Sequence, residues 1–462
     1  MMSRVDGVPG TAPARVGLAA EVGPMLRLAV PVVLAELGWM AMGLVDLVMV
    51  GRLGPTAIGA VGIGNVLFIA ATIVGIGLLL GLDTVVSQAF GAGDRETCHR
   101  ALVQGLYLTL ALSPPLMALI WTGSGLLGAW GVDPAVIPQA AAYLDVIGWS
   151  VPFLLLFTAV RRYLQAMNVV VPIAVALVVA NLANLVGNWV LVYGRLGVRP
   201  MGVVGSGWAT FLARGSMFAI VAGAAFRHDA RGGTGLRRTP LAVDWDLIRR
   251  LLALGWPAAM QLALEIGVFA VATVRAGRLG AVALAAHEIA LSVCSLTFMV
   301  PLGISAAGSV RVGQALGRGD PAASVRAGWA ALLLGTGFMA GSALILTLFR
   351  RAIFGVFTAD AGVLAVGVPL LVIAGLFQVC DGLQVVATGV LRGAGDTRTP
   401  MIVGVLAHWA LGLPIAGSLA FAAGWGVFGL WIGLATGIVV TGVALLLAWT
   451  HKARAGFVEA QT

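Results

Sequence analysis

The chain is poor in charge of either sign and almost without lysine. Only 10% of its 462 residues are charged, against about 25% in a soluble domain. Its single lysine is Lys452, so a P-loop ATPase is excluded, because that motif needs a lysine beside the phosphates. The three cysteines, Cys98, Cys294 and Cys380, are scattered and odd in number. The sequence therefore predicts neither a disulfide framework nor a zinc site, and we expect no cofactor.

Apolar residues and glycine take the place of the missing charges. The chain is 60% hydrophobic and contains 64 glycines. A soluble protein of this composition could not cover its surface with polar groups, whereas small residues help membrane helices to pack closely. Runs of about 20 apolar residues, the length that spans a bilayer, predict an all-α integral membrane protein of about twelve transmembrane helices. The runs lie near 25–50, 56–84, 100–122, 136–160, 170–193, 203–226, 252–276, 281–309, 325–349, 363–391, 400–422 and 425–450.

The basic residues indicate how the chain is oriented. The net charge is +9 and nearly all of the 28 basic residues are arginine. When the predicted loops are assigned to the two sides in turn, most of these residues fall on the side of the termini. The positive-inside rule then places both termini in the cytoplasm of a multi-pass protein of the bacterial inner membrane. A basic surface could also bind nucleic acid, but arginines between apolar runs are better explained by membrane orientation, and we expect no nucleic-acid partner.

The two halves of the chain repeat each other. The motif at 51–54 recurs at 277–280, and the motif at 88–94 recurs at 314–320 with the same spacing. An even number of spans in each half makes the two repeats parallel, so we expect two pseudo-symmetric six-helix lobes with a substrate path between them. The predicted division is a cytoplasmic N-terminal tail (1–24), an N-terminal lobe (25–226), a basic cytoplasmic linker (227–250), a C-terminal lobe (251–450) and a cytoplasmic tail (451–462).

Acidic residues inside the predicted spans are the main functional candidates, because a charge at mid-bilayer is costly. Ion pairing cannot neutralise them all, since basic residues inside the predicted spans are almost absent and, apart from those at span ends, Arg214 is the only one. The acids must therefore be protonated, bind a cation or face water. They are Glu36, Asp46, Asp83, Asp145, Glu265, Glu288 and Asp381.

Two acids of the C-terminal lobe stand out by their depth. Glu265 and Asp381 both lie near the middle of their predicted helices, and the repeat places Trp39, not an acid, opposite Glu265. An acid that is present in one lobe and absent from the equivalent position of the other is not needed for the shared architecture. Such an acid indicates a function in cation binding. The alternative for each is a protonated carboxyl that bonds a neighbouring backbone carbonyl.

A second polar set is predicted in the N-terminal lobe. Asp46 lies late in the first predicted span, and Asn184 and Asn188 share one face of the fifth helix because they are four residues apart. Amides and a carboxylate can together bind a cation or an ammonium group. The alternative role of the asparagines is hydrogen bonding between helices.

At this point the sequence resembles a family of transporters. Residues 31–54 (PVVLAELGWMAMGLVDLVMVGRLG) are similar to the first helix of multidrug and toxic compound extrusion (MATE) transporters. The pattern is most similar to the NorM-type branch, although the LDT at 82–84 resembles the eukaryotic branch. The resemblance continues in LDTVVSQAFGAGD (82–94), NLVGNWVLVYGRLG (184–197), PAAMQLALEIGVFAV (257–271) and CDGLQVVATGVLRGAGD (380–396).

The resemblance implies two lobes around a central cleft that opens alternately to each side, with export of small organic cations in exchange for H⁺ or Na⁺ by a monomer. It also implies that Glu265 and Asp381 are the cation-binding acids of the C-terminal lobe and would hold Na⁺, if Na⁺ is the coupling ion. Asp46, Asn184 and Asn188 match the polar site of the N-terminal lobe. Phe377 stands where the family often has tyrosine; the lost hydroxyl favours proton coupling.

The mechanism that we expect is competition between the coupling ion and the substrate for buried carboxylates. Pro31 removes a backbone donor near the start of the first helix, so we expect a hinge there. Membrane lipids are the other expected partner. Aromatic and methionine side chains would contact a cationic substrate through cation–π and apolar packing, although most such residues face lipid or core. The candidates are Trp39, Met40, Met42, Phe269 and Phe377.

Two other classes remain as alternatives. A flippase for a lipid-linked oligosaccharide or another lipid shares this architecture, but an anionic pyrophosphate would require several arginines in the cleft, and only Arg214 lies away from the ends of a predicted span. A membrane-embedded transferase would show a cluster of acids or histidines at the membrane surface. The longest predicted loop, near 227–248, is instead basic, so the sequence predicts no enzyme.

Overall fold

The structure is a computed structural model that describes residues 18–233 and 235–455, so residues 1–17 and 456–462 of the two predicted tails lie outside it. Twelve helices in the described part are long and apolar enough to cross a bilayer, which confirms the predicted fold class. They are α1 (Ala19–Gly51), α2 (Pro55–Gly91), α3 (Arg95–Gly125), α4 (Ile137–Ala166), α5 (Val171–Leu191), α6 (Val203–Gly232), α7 (Trp245–Arg278), α8 (Ala281–Gly317), α9 (Pro321–Leu348), α10 (Ala361–Gly393), α11 (Arg398–Ala422) and α12 (Gly426–Ala455).

Three of these helices are irregular. Helix α2 is interrupted between its segments Pro55–Leu78 and Gly81–Gly91, and α4 contains a single 3₁₀ turn at Gly148–Ser150. Helix α11 is wound as a π-helix at Val405–Gly412 and again at Ser418–Ala422. A π-helical turn changes the direction of the side chains that follow, and such turns are frequent at functional sites. A short helix, Arg350–Phe357, connects α9 to α10.

The repeated motif that ends in aspartate encodes a helix start in each lobe. Asp94 caps α3 and Asp320 caps α9, each by accepting the backbone N–H of the residue three positions later, at 2.9 and 2.8 Å. Such a cap satisfies one of the free donors at a helix start. The hydrogen bonds from the hydroxyl and the backbone N–H of Thr97 hold the pKa of the Asp94 carboxyl below its usual range. The repeat thus reproduces local structure, not only sequence.

The two lobes meet backbone to backbone at the end of the protein where α1 begins and α12 ends, here called the terminus-bearing end. A Cβ atom on Gly91 would lie 2.1 Å from the Gln314 carbonyl oxygen, and one on Gly317 would lie 2.0 Å from the Gln88 carbonyl oxygen. Each residue of the first contact is equivalent by the repeat to a residue of the second. Helices α2 and α8 therefore pack across a pseudo-two-fold axis.

A second pair of symmetric contacts continues this interface. A Cβ on Gly77 of α2 would lie 2.3 Å from Ala259 Cα of α7. At the equivalent place, a Cβ on Gly303 of α8 would lie 2.4 Å from Val33 Cγ2 and 2.9 Å from Val33 N of α1. Because only glycine permits these approaches, the four helices α1, α2, α7 and α8 form one close interface between the lobes.

Polar bonds reinforce the same end. Among the described residues, the hydrogen bonds that join one lobe to the other involve helix ends or the connecting segment of the terminus-bearing end. By contrast, a Cβ on Gly54 or Gly280, equivalent positions at the opposite end, would meet no atom within 4 Å. The bonds run from Gln314 Nε2 to the Ala166 carbonyl (2.8 Å), from Arg311 to Glu21 (2.5 Å), from Thr84 Oγ1 to the Arg392 carbonyl (2.6 Å) and from Gln104 Nε2 to the Ala242 carbonyl (3.0 Å), beside an ion pair of Arg100 with Asp244.

The segment between the lobes is shorter than the predicted linker 227–250. Helix α6 continues to Gly232 and α7 begins at Trp245. Arginines that follow the apolar run can belong to α6, because this end of the helix extends beyond the hydrocarbon. Asp229, near the end of α6, accepts a hydrogen bond from the backbone N–H of Leu236 at 2.8 Å. The end of α6 is thereby tied to the segment that follows it.

A substitution at Gly255 tests how much the stability of the interface depends on the close approach of the helix backbones. It lies inside α7, where a Cβ would stand 2.0 Å from the Leu78 carbonyl oxygen of the other lobe. We expect Gly255→Val to lower the midpoint of thermal unfolding, because overpacking costs about 1–3 kcal/mol. The control is Gly215→Val inside α6, where a Cβ meets nothing within 4 Å. Equal midpoints for the two variants in detergent would contradict the interface described here.

Candidate functional site

The two acids predicted near mid-depth of the C-terminal lobe lie close together. Glu265 comes from α7, and its Oε1 accepts a hydrogen bond from Gln384 Nε2 of α10 at 3.1 Å. Asp381 lies one turn before Gln384 on α10, and the charge of Glu265 acts on its carboxyl. Neither acid forms an ion pair with lysine or arginine in the described part of the chain. Their role in binding a cation stays a prediction.

A small cavity lies beside Glu265. Its volume is about 10 Å³, which is roughly what one water molecule needs. Six of the side chains that line it can donate or accept hydrogen bonds, so it suits a water or a small ion and is far too small for an organic cation. One of them, Trp409, already donates its Nε1–H to the Leu264 carbonyl at 3.1 Å. The other five are Gln261, Glu265, Gln384, His408 and Thr441.

Four of these cavity residues were not found from the sequence. Gln384 follows Asp381 by three residues, a spacing that places both on one face of a helix and could have indicated it. His408 had no such signal, because its direction depends on the π-helical stretch of α11. Thr441 Oγ1 of α12 lies 3.4 Å from His408 Nε2, and Gln261 Nε2 donates to Thr388 Oγ1 at 3.3 Å.

An aromatic cluster lies in the same lobe. Phe377 is only 5% exposed, and its ring centroid is 5.5 Å from that of Trp431. Trp431 Nε1 donates to His287 Nδ1 at 3.0 Å, and Phe269 packs half-buried against the same core. The ring at position 377 therefore belongs to the packing of the lobe. That Phe269 and Phe377 contact substrate stays a prediction.

The polar set of the N-terminal lobe also comes together. The Asp46 side chain, 3% exposed, accepts hydrogen bonds on Oδ1 from Asn184 Nδ2 at 2.9 Å and from Asn188 Nδ2 at 2.7 Å. Its Oδ2 accepts from Thr210 Oγ1 of α6 at 2.8 Å. Thr210 was not found from the sequence, since one hydroxyl in a long apolar helix gives no pattern. Three neutral donors thus satisfy this buried acid.

A basic group lies next to this cluster. Arg214 follows Thr210 by one turn of α6, is 6% exposed, and its charge acts on Asp46. Its guanidinium carbon lies 4.1 Å from the centroid of the Phe68 ring and 5.9 Å from that of Trp39. Trp39, predicted as a contact for a cationic substrate, is therefore already beside a cation.

The remaining candidates of α1 occupy different surroundings. Met40 is 37% exposed, whereas Met42 is 5% exposed and belongs to the main hydrophobic core. Pro31 is half-buried inside α1, which is helical from Ala19 to Gly51. It lies two residues before Val33, which packs against Gly303 of the other lobe. The described geometry therefore places Pro31 beside the interface between the lobes.

The interpretation that Arg214 is the only basic residue within the spans was wrong. Helix α4 runs to Ala166, beyond the predicted end at 160, and its last turns carry Arg161 and Arg162. Arg161 forms an ion pair with Glu36, and Arg162 Nη1 lies 3.2 Å from Asp83 Oδ2. The apolar run ends before these charges, so hydropathy could not include them. Two further acids of the predicted spans, Asp145 and Glu288, are exposed.

Comparison with known proteins gives a consistent result. The MatE family model matches residues 31–190 and 257–417, one stretch in each lobe. A probable multidrug resistance protein NorM of Mesorhizobium japonicum is 37% identical over 94% of both chains. Another of the same name, from Bradyrhizobium diazoefficiens, is 39% identical over 95% of both chains. The multidrug resistance protein MdtK of Edwardsiella ictaluri is 31% identical over 94% of this chain and 96% of its own.

Solved structures share the fold at low identity. The eukaryotic MATE transporter AtDTX14 matches with a TM-score of 0.85 and 22% identity, over 96% of this chain and 100% of its own. The outward-facing conformation of a multidrug resistance MATE family transporter matches with a TM-score of 0.83 and 19% identity, over 94% of this chain and 96% of its own. These likenesses support the architecture of twelve helices in two lobes.

The N-terminal cluster should be a stabilising element. We expect Asp46→Ala to lower the midpoint of thermal unfolding strongly, because a buried donor left without its partner costs about 1–3 kcal/mol and three donors lose theirs. Asp46→Asn should lower it less, since its amide oxygen can still accept. The exposed Asp145→Ala serves as the control. An Asp46→Ala protein as stable as the control would show that the three bonds do not hold this part of the lobe together.

Proposed function

Because the chain belongs to the MATE family of multidrug efflux transporters, we propose that it exports organic cations in exchange for protons by alternating access. The observation that carries this proposal is the pair Glu265 and Asp381 of one lobe: the charge of Glu265 acts on the Asp381 carboxyl, and neither acid forms an ion pair among the described residues, although the charge of Arg392 also acts on Glu265. The similar NorM proteins are bacterial, which supports a bacterial inner membrane, and the basic residues favour a cytoplasmic location of both termini.

The acid pair supports competition between a proton and a cationic substrate. Two neighbouring carboxyls resist being ionised together. A proton or a cation relieves this repulsion, so both are drawn to the same acids. Binding of one must then weaken binding of the other, and such coupling is reciprocal. This mutual exclusion is what an antiporter requires.

The absence of the tyrosine hydroxyl at Phe377 supports protons over Na⁺ as the coupling ion. The Phe377 ring packs on Trp431 and brings no oxygen to the acids. A proton that moves through 100 mV supplies about 2.3 kcal/mol. That suffices for roughly a 50-fold concentration ratio of substrate, since about 1.4 kcal/mol is tenfold.

The lobe interface supports alternating access. Among the described residues, the glycine contacts and the hydrogen bonds between the lobes lie toward the terminus-bearing end. With the termini in the cytoplasm, this conformation is the one from which substrate leaves to the outside. We propose that a monomer in contact with membrane lipids carries out the whole cycle.

The flippase alternative gains no support from the buried arginines. Arg161 and Arg162 are paired with Glu36 and Asp83, so they are not free to bind a lipid pyrophosphate. Arg214 faces aromatic rings of a single lobe.

Gradient-driven uptake tests the acid pair. In proteoliposomes with an acidic interior, wild-type protein should accumulate ethidium, and an imposed Na⁺ gradient alone should not drive it. We expect Glu265→Gln and Asp381→Asn each to reduce the initial rate of ethidium uptake at least about tenfold. The remaining acid then lacks the neighbouring carboxyl that makes proton binding and substrate binding mutually exclusive.

The matched control is Glu288→Gln in α8, which removes an exposed carboxyl. Its rate should equal that of the wild type. Full uptake by both acid variants would exclude the pair from coupling, and uptake driven equally by Na⁺ would exclude protons as the specific coupling ion.

The hinge proposed at Pro31 has an internal control. Pro31→Ala restores a backbone donor and should stiffen α1, so we expect the transport rate to fall several-fold while the protein remains monodisperse. Pro24→Ala changes the other proline inside α1, farther from the contact of Val33 with Gly303, and should have a smaller effect. Unchanged transport in Pro31→Ala would refute the hinge.

A further inference from the structure

Arg214 is held in an unusual way for a buried arginine. Its side chain is 6% exposed in the middle of α6, yet it forms no ion pair among the described residues, although the charge of Asp46 acts on it. One nitrogen, Nη1, donates to Ser150 Oγ at 2.5 Å, and Nε has no hydrogen-bond partner in the described part of the chain. A guanidinium has five N–H donors, so hydrogen bonds alone do not explain its position.

Aromatic faces supply the missing attraction. The guanidinium carbon lies 4.1 Å from the centroid of Phe68 and 5.9 Å from that of Trp39, both within the range of a cation–π contact. The Asp46 carboxylate, which already accepts three hydrogen bonds, adds a negative field without touching the cation. Rings, one hydroxyl acceptor and a nearby negative charge are the features that recognise an organic cation.

We propose that Trp39, Phe68 and Ser150 form a binding site for planar organic cations in the N-terminal lobe, and that Arg214 fills this site as a tethered competitor. The ligands are guanidinium- and amidinium-type groups, which are flat, delocalised and weakly hydrated. A ligand enters when the Arg214 side chain leaves the rings. The site is separate from the acids Glu265 and Asp381, which belong to the other lobe.

This inference deepens the proposed function, because the site would receive the cationic cargo while the C-terminal acids exchange the proton. Its test does not depend on transport. If the Arg214 variants bound the probe while the wild type showed no gradient-driven uptake, the site would stand and the proposed antiport would fall. If the wild type showed uptake while the Arg214 variants did not bind the probe, the reverse would hold.

Removal of the tether should open the site. The probe is methylguanidinium chloride at millimolar concentrations, added to the purified full-length protein in detergent. We expect Arg214→Ala to have a lower thermal midpoint than the wild type and to regain several degrees with the probe, half-maximally at low millimolar concentration. The wild type, whose site is filled, should shift much less. The control is methylammonium chloride at equal ionic strength, a cation of the same charge that lacks the planar guanidinium group.

A second substitution separates a site from a general effect of the salt. In Arg214→Ala combined with Phe68→Leu, the probe should no longer restore the midpoint, because the closer ring is gone. Arg214→Gln also removes the guanidinium and should respond like Arg214→Ala, which keeps the test valid if the alanine variant is not monodisperse. Equal stabilisation of the wild type and the Arg214 variants, or rescue that persists without Phe68, would overturn the site.

Discussion

Every carboxylate that this chain carries into the hydrocarbon needs a partner there, because lipid cannot solvate a charge. The structure meets this constraint in three ways. Glu36 and Asp83 pair with arginines at the end of α4. Asp46 is satisfied by three neutral donors. Glu265 and Asp381 receive a single amide, that of Gln384, and the charge of Arg392 without an ion pair, so among these acids they retain a need that a mobile positive species can fill.

The architecture repeats, but the chemistry does not. Equivalent glycines bring α2 against α8, and the contact of α2 with α7 has its counterpart between α8 and α1. At these contacts the helix backbones pack closely and few side chains interlock. Such an interface suits two lobes that must separate and close again. The Glu265 position of the C-terminal lobe is occupied by Trp39 in the other lobe, where it packs beside Arg214. One lobe thus places two acids near each other, and the other sets Asp46 beside Arg214.

The twelve helices were predictable because the bilayer imposes their length and composition, and the repeat was visible because the same turn residues recur. The cluster around Asp46 was partly predictable, since Asn184 and Asn188 share a helix face. His408 was not, because a π-helical stretch of α11 decides where its side chain points. Arg161 and Arg162 were placed outside the spans because hydropathy ends a span where charged residues begin. The helix continues past that point and brings both arginines to acids of other helices.

The most direct test of the acid pair is proton release on substrate binding, measured without a membrane or a gradient. Purified protein in weakly buffered detergent solution is titrated with ethidium near neutral pH, and the protons released are counted with a pH indicator. We predict that the wild type releases protons as ethidium binds, and that Glu265→Gln combined with Asp381→Asn releases none. Binding of ethidium without proton release by the wild type, or the same release by the double variant, would contradict the account.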